Sequence, residues 1–108
     1  MNRGDVVLAA GRGDYGKARP WIVVQSDPVA ATHPSITLCP VTTVDREDPN
    51  FRVPLEPSTT NGLREKSLIM VDKIQTLRRE HVKARIGSID AGTTREVDTA
   101  LRVWLGLA

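Results

Sequence analysis

The apolar residues of this chain come in short runs, each cut off by glycine, proline or charge, until the C-terminal segment changes the spacing. Runs this short, rich in valine, isoleucine and leucine, suit strands rather than helices. Val6–Ala10 reads as a first strand and Trp21–Gln25 as a second, apolar throughout and therefore buried on both faces. Ile36–Thr42 reads as a third, with Pro40 pointing to an edge or a bulge. Arg52–Leu55 and Ser67–Val71 follow, the latter running on toward Lys73-Ile74, and Ala84–Ile89 is the last strand. Gly11–Arg19, Ser26–Pro34, Asp45–Asn50 and Pro57–Arg64 read as connections, the last with Asn61-Gly62 as its turn signal. Thr76–Val82 has room for a helical turn.

The C-terminal segment differs. Val97, Ala100, Leu101, Trp104 and Leu105 recur at helical spacing, and Thr93 and Glu96 stand at capping-box separation. A helix is expected over about Thr94–Leu105. The fold class is therefore mostly β with helices (α+β): a small barrel or two-sheet fold closed by a C-terminal helix.

At 108 residues the chain fits one domain, 1–108. Aromatics are only 4%, so the core must be aliphatic. The single cysteine, Cys39, excludes an intrachain disulfide and fits a reducing compartment. No apolar run is long enough to span a bilayer, and no long apolar stretch follows Met1-Asn2-Arg3-Gly4-Asp5, so neither membrane nor signal peptide is expected. Cytoplasmic location follows as an expectation. A net charge of +2 permits a polyanionic partner without demanding one.

Gly11, Gly13 and Gly16 spell G-x-G-x-x-G after a strand. A dinucleotide site needs a helix after the last glycine, whereas Lys17-Ala18-Arg19-Pro20 leads into a β-type run; a hairpin loop is the better reading. Arg19 precedes Pro20, which forces it into extended backbone and fixes the direction of its side chain. A guanidinium there suits a phosphate, and equally a surface pair with Asp14. Thr42 and Thr43 close the third run, as phosphate donors or as ordinary strand formers. Asp72 ends the apolar run Leu68–Val71, as a general base or as the anchor of an arginine. His33, His81 and Cys39 have no partners at metal-ligand or nucleophile spacing, so neither metal nor cofactor is expected. Arg78, Arg79, Lys83 and Arg85 form a basic cluster, by default a solvated face and otherwise a nucleic-acid rim.

Taken together and in order, these segments resemble the MazF/PemK toxin family. Arg3–Val7 and Gly16–Asp27 look like its opening, Pro40-Val41-Thr42-Thr43 its third-strand signature, and Gly62–Thr76 its later block; the helix Glu96–Leu107 is also similar. The resemblance implies an SH3-like, PemK-type β-barrel acting as a homodimer. It also implies the toxin of a type II toxin–antitoxin pair, cutting single-stranded RNA without metal and blocked by a cognate antitoxin. The family's catalytic arginine falls on Arg19 and its threonine on Thr42. A PemK-type aspartate falls on Asp72, second in rank, because that subgroup's arginine falls on Met70 and its loop histidine has no counterpart near Gly13. Tyr15, Lys17, Thr43, Arg64, Lys73 and Gln75 are the expected RNA contacts; Trp21 is expected in the core. The first loop is shorter than usual for the family, which bears on base preference more than on chemistry. A gyrase-poisoning toxin class of the same fold is the alternative, and a noncatalytic nucleic-acid-binding barrel a third reading.

Overall fold

A computed structural model describes residues 1–13, 16–43 and 51–108. The strands are β1 (Asp5–Ala9), β2 (Arg19–Val23), β3 (Ser35–Thr42), β4 (Arg52–Leu55), β5 (Ser67–Met70), β6 (Gln75–Arg78) and β7 (Val82–Ser88). The helices are α1 (Asp27–Ala30) and α2 (Ala91–Leu105). Every pairing is antiparallel, in the order β4-β5-β3-β2-β1-β7, with β6 also paired to β3. No ladder joins β4 to β7 among the described residues, so the expected barrel is an open, curled sheet. Register shifts between β1 and β7 bend it, and α2 covers the face that strand closure would otherwise seal.

β3 explains the curl. Its first half, Ser35–Leu38, pairs with β6, and its end, Val41–Thr42, pairs with β5. Pro40, which has no N–H to give, stands at the hand-over and is buried. It therefore sits in a central strand, at the one point where the ladder changes partner, rather than on an edge.

Two cores lie on opposite faces of the central strands. Val6, Ile22, Cys39, Val41 and Ile69 meet Val97, Ala100 and Leu101 of α2 on one face. Val7, Trp21, Val23, Ile36, Leu38 and Leu77 fill the other. Neighbours along β1, β2 and β3 thus enter different cores, which is why their sequences are apolar without alternation. Each such side chain contributes about 1.5–3 kcal/mol by leaving water.

One connection and one helix start depart from expectation, and one strand was not foreseen. Ser26–Pro34 contains the single-turn α1, whose start accepts Pro28 because its missing N–H is not needed there. Arg79 clamps this turn, donating from Nε to His33 O (3.0 Å) and from Nη2 to Ala30 O. Thr76–Val82 is mostly strand, with its helical turn confined to Arg79–His81. Helix α2 starts three residues early: Asp90, not Thr93, is its cap, accepting the Thr93 N–H at 2.7 Å. The expected segment Asp45–Asn50 lies outside the described residues, as do Asp14 and Tyr15.

Candidate active site

Strand pairing brings Arg19 and Thr42 together. β2 opens at Arg19, and β3 closes at Thr42. Extended two residues beyond the ladder, the register of Trp21 opposite Pro40 and Ile22 opposite Cys39 sets Arg19 across from Thr42. Directly opposed residues share a face of the sheet. On its other side Arg19 pairs with Ala9 of β1. The buried Trp21 indole donates to Ala9 O at 3.0 Å and pins this end of the hairpin. Arg19 and Thr42 are both half-buried and engaged by neighbouring groups. β1 and β2 pair on either side of the glycine-rich stretch, and among the described residues no helix follows Gly16.

Thr42 and Thr43 line a cleft of about 490 Å³ with Arg64 and Glu65, over Leu8 and Pro20. Its far wall is held by a polar turn. The buried Asn61 amide oxygen accepts from Ser58 N (3.0 Å) and Leu63 N (2.9 Å), and its nitrogen donates to Glu56 O (2.7 Å). Gly62 follows at φ 72°, with its α-carbon pressed on the Ile86 carbonyl so closely that any side chain would collide. The Asn61-Gly62 signal therefore does more than turn the chain: it aims Arg64 into the cleft that holds both threonines.

Asp72 lies elsewhere. It sits in a 3-10 turn after β5, and its Oδ2 meets Arg52 Nη2 at 3.3 Å and Lys73 Nζ at 3.9 Å. Arg52 and Asp72 are only 14% and 13% exposed, and Arg52 lines a cavity beside α2. Asp72 and Lys73 do not line the cleft that holds Thr42. The anchoring role foreseen for Asp72 is what the geometry shows; its arginine, Arg52, carried no signal in the sequence because the pairing arises only when β4 docks on β5, with Arg52 opposite Met70.

The remaining contacts scatter. Lys17 is exposed on the first loop. Gln75 lies under that loop, accepting the Arg12 N–H at 3.2 Å. Trp21 is core, as expected. Of the basic cluster, Arg79 clamps α1 and Arg85 meets Asp5 at 3.1 Å. Cys39 is no nucleophile: burial pushes its thiol up to about 12, with nearby Arg3 pulling it down and Asp72 raising it further. No group of His, Cys, Asp and Glu among the described residues is arranged to hold a metal ion.

Comparison with known proteins agrees with this architecture. The family model described as PemK-like, MazF-like toxin of type II toxin–antitoxin system matches residues 2–105. A probable endoribonuclease MazF of Mycolicibacterium smegmatis is 40% identical over 109 residues, covering 100% of this chain and 99% of that protein. An endoribonuclease MazF of Staphylococcus saprophyticus is 27% identical, covering 99% and 92%. A mycobacterial endoribonuclease solved in complex with its cognate antitoxin superposes with a TM-score of 0.83 at 26% identity, covering 100% of this chain and 97% of that one. The ordered motifs, the sheet with its C-terminal helix and the match along nearly the whole length lead to one assignment: this chain belongs to the PemK-like, MazF-like toxin family of type II toxin–antitoxin systems.

Proposed function

We propose that this chain is an endoribonuclease toxin that cuts single-stranded RNA at the Arg19–Thr42 end of the sheet, without a metal ion. What supports this is the register of β2 on β3, which sets the permanently charged Arg19 opposite Thr42, a residue that lines an open cleft, although Arg19 itself is not among the described lining residues. The names of its relatives support the same activity and speak against the gyrase-poisoning alternative.

In this reading the RNA's own 2′-hydroxyl attacks the adjacent phosphorus. A new P–O2′ bond forms and the P–O5′ bond breaks. One proton leaves the 2′-oxygen and one arrives at the 5′-oxygen, giving a 2′,3′-cyclic phosphate and a 5′-hydroxyl end. Arg19 supplies the positive charge that the crowded phosphorane needs, and Thr42 orients a phosphate oxygen by hydrogen bond. Thr43 and Arg64 hold the strand along the cleft, with Lys17 at its rim. Asp72 anchors Arg52 and takes no part at the phosphate. DNA is not cut, because it lacks the attacking group. The chain works as a homodimer in the cytoplasm, blocked by a cognate antitoxin, and its action on mRNA stops translation.

Incubation of the purified protein with single-stranded RNA in EDTA tests this. Cyclic or 3′-phosphate fragment ends are expected. RNA left intact at high protein concentration would sink the proposal.

A further inference from the structure

A second groove, of about 440 Å³, opens between the end of β1 and the β6–β7 connection. Its floor includes Ala10 and Leu77, and its rim carries Arg12, Arg78, His81 and Lys83, all exposed. No carboxylate is among its described lining residues. Glu80 stands nearby and meets Arg78 at 3.7 Å, with both side chains largely in water, where such a pair offsets little of the field. The cavity at the start of α2 is the opposite case, lined by Glu56, Asp90 and Glu96 with no cation. Of these two cavities, the groove beside β6 therefore has the lining better suited to a polyanion, although Lys66 stands 3.8 Å from Glu56 at the other.

The groove wall is fixed, not a trailing loop. A Cβ at Gly11 would stand 2.6 Å from the Trp21 ring and 2.9 Å from Gln75 Oε1. The backbone is thus pressed onto both, and Gln75 also accepts the Arg12 N–H at 3.2 Å. Thr76 is tied to Thr37 by a hydroxyl pair at 2.7 Å. Ala9 links the groove to the candidate active site, since it pairs with Arg19 on one side and with Val82, the neighbour of Lys83, on the other. Two strand spacings of about 4.8 Å separate these rows, within the few nucleotides that a strand-binding surface contacts.

We infer that this groove is a second subsite for the RNA strand, taking a nucleotide that flanks the cut. The base lies on the apolar floor, and Arg12, Arg78 and Lys83 hold the phosphates. The inference rests on the ribonuclease reading but has its own failure mode.

The test uses oligoribonucleotides made uncleavable by a 2′-deoxy sugar at the cut site, in a short form and in forms lengthened at either end. Wild-type protein should gain affinity on lengthening at one end. The Arg78→Ala/Lys83→Ala double variant should lose that gain, about tenfold, and its log-affinity should fall less steeply with log salt by about 0.7 per lost contact. The single Lys83→Arg variant, with Arg78 intact, should keep the gain. An equal gain and an equal salt slope in the double variant would overturn the subsite while leaving the wild-type cleavage result standing. So would weaker binding of the antitoxin with unchanged RNA affinity, since the groove would then belong to an acidic protein segment. Failure of the wild-type protein to cut RNA at all is a separate result, and strikes the proposed function.

Discussion

Two arginines each open a strand in this molecule, and their cross-strand neighbours differ. Arg19 starts β2 and is aligned with the Thr42 hydroxyl beside a cleft; Arg52 starts β4 and holds the carboxylate of Asp72 beside α2. A cation matched to a buried carboxylate is a fastener, because its charge is already answered inside the protein. A cation opposite a threonine that lines an open cleft stands near a place where an anion can enter, as the proposed chemistry requires. The same residue type at the same local position therefore serves stability in one place and, as proposed, chemistry in the other.

Substitutions break this contrast in a definite order. Arg19→Ala should lower single-turnover RNA cleavage about a thousandfold, the loss expected for one preorganised donor at a developing charge, with little change in melting temperature. Cleavage within a few-fold of wild type, or a misfolded protein, would make Arg19 a fastener too. Asp72→Ala should do the reverse. It leaves the largely covered Arg52 charge unanswered and should cost about 3 kcal/mol in denaturant unfolding, with cleavage per folded molecule nearly unchanged. Asp72 Oδ1 and Arg52 Nε have no hydrogen-bond partner among the described residues, so an Arg52→Met/Asp72→Leu pair should recover most of that stability. A large loss of turnover in folded Asp72→Ala would instead return the aspartate to the chemistry.

Thr42→Ala should reduce cleavage about tenfold to a hundredfold, the weight of one hydrogen bond to a charged group, measured at saturating RNA. The smallest effect lies at the helix cap. The Thr93 backbone N–H, then the Thr93 side chain, holds the Asp90 carboxyl below its ordinary 3.8. Its contribution is complete above 3.8 and disappears as the pH falls through the lowered folded value. Asp90→Asn should therefore flatten the acid limb of the stability curve slightly. An unchanged limb would show that the cap does not couple to folding.

Much of the fold was legible because central strands buried on both faces must be apolar without a break, as Trp21-Ile22-Val23 are. Arg52–Leu55 matches its strand residue for residue, and Asn61-Gly62 marks its turn. The errors share a cause. Thr93–Glu96 has the right spacing for a cap, but Asp90 reaches the same N–H first, and local spacing cannot rank two caps three residues apart. The helical turn expected within Thr76–Val82 is present at Arg79–His81, but the strand β6 before it was not foreseen, because its partner, Ser35–Leu38, lies far back in the chain. Pro40 looked like an edge residue because a hand-over between two partners is invisible along one strand.

The sequence by itself determined the class of the fold, the terminal helix and the two residues, Arg19 and Thr42, that family likeness singles out. These depend on local pattern and on motif order, which a linear string carries. Only the tertiary structure decided what each charge is for. Asp72 became the anchor of Arg52, Arg79 the clamp of α1, and Arg12 and Lys83 neighbours on one groove. The physical reason is range. An ion pair or a shared cleft is set by distances of a few ångströms between segments tens of residues apart, and strand register, not composition, fixes those distances.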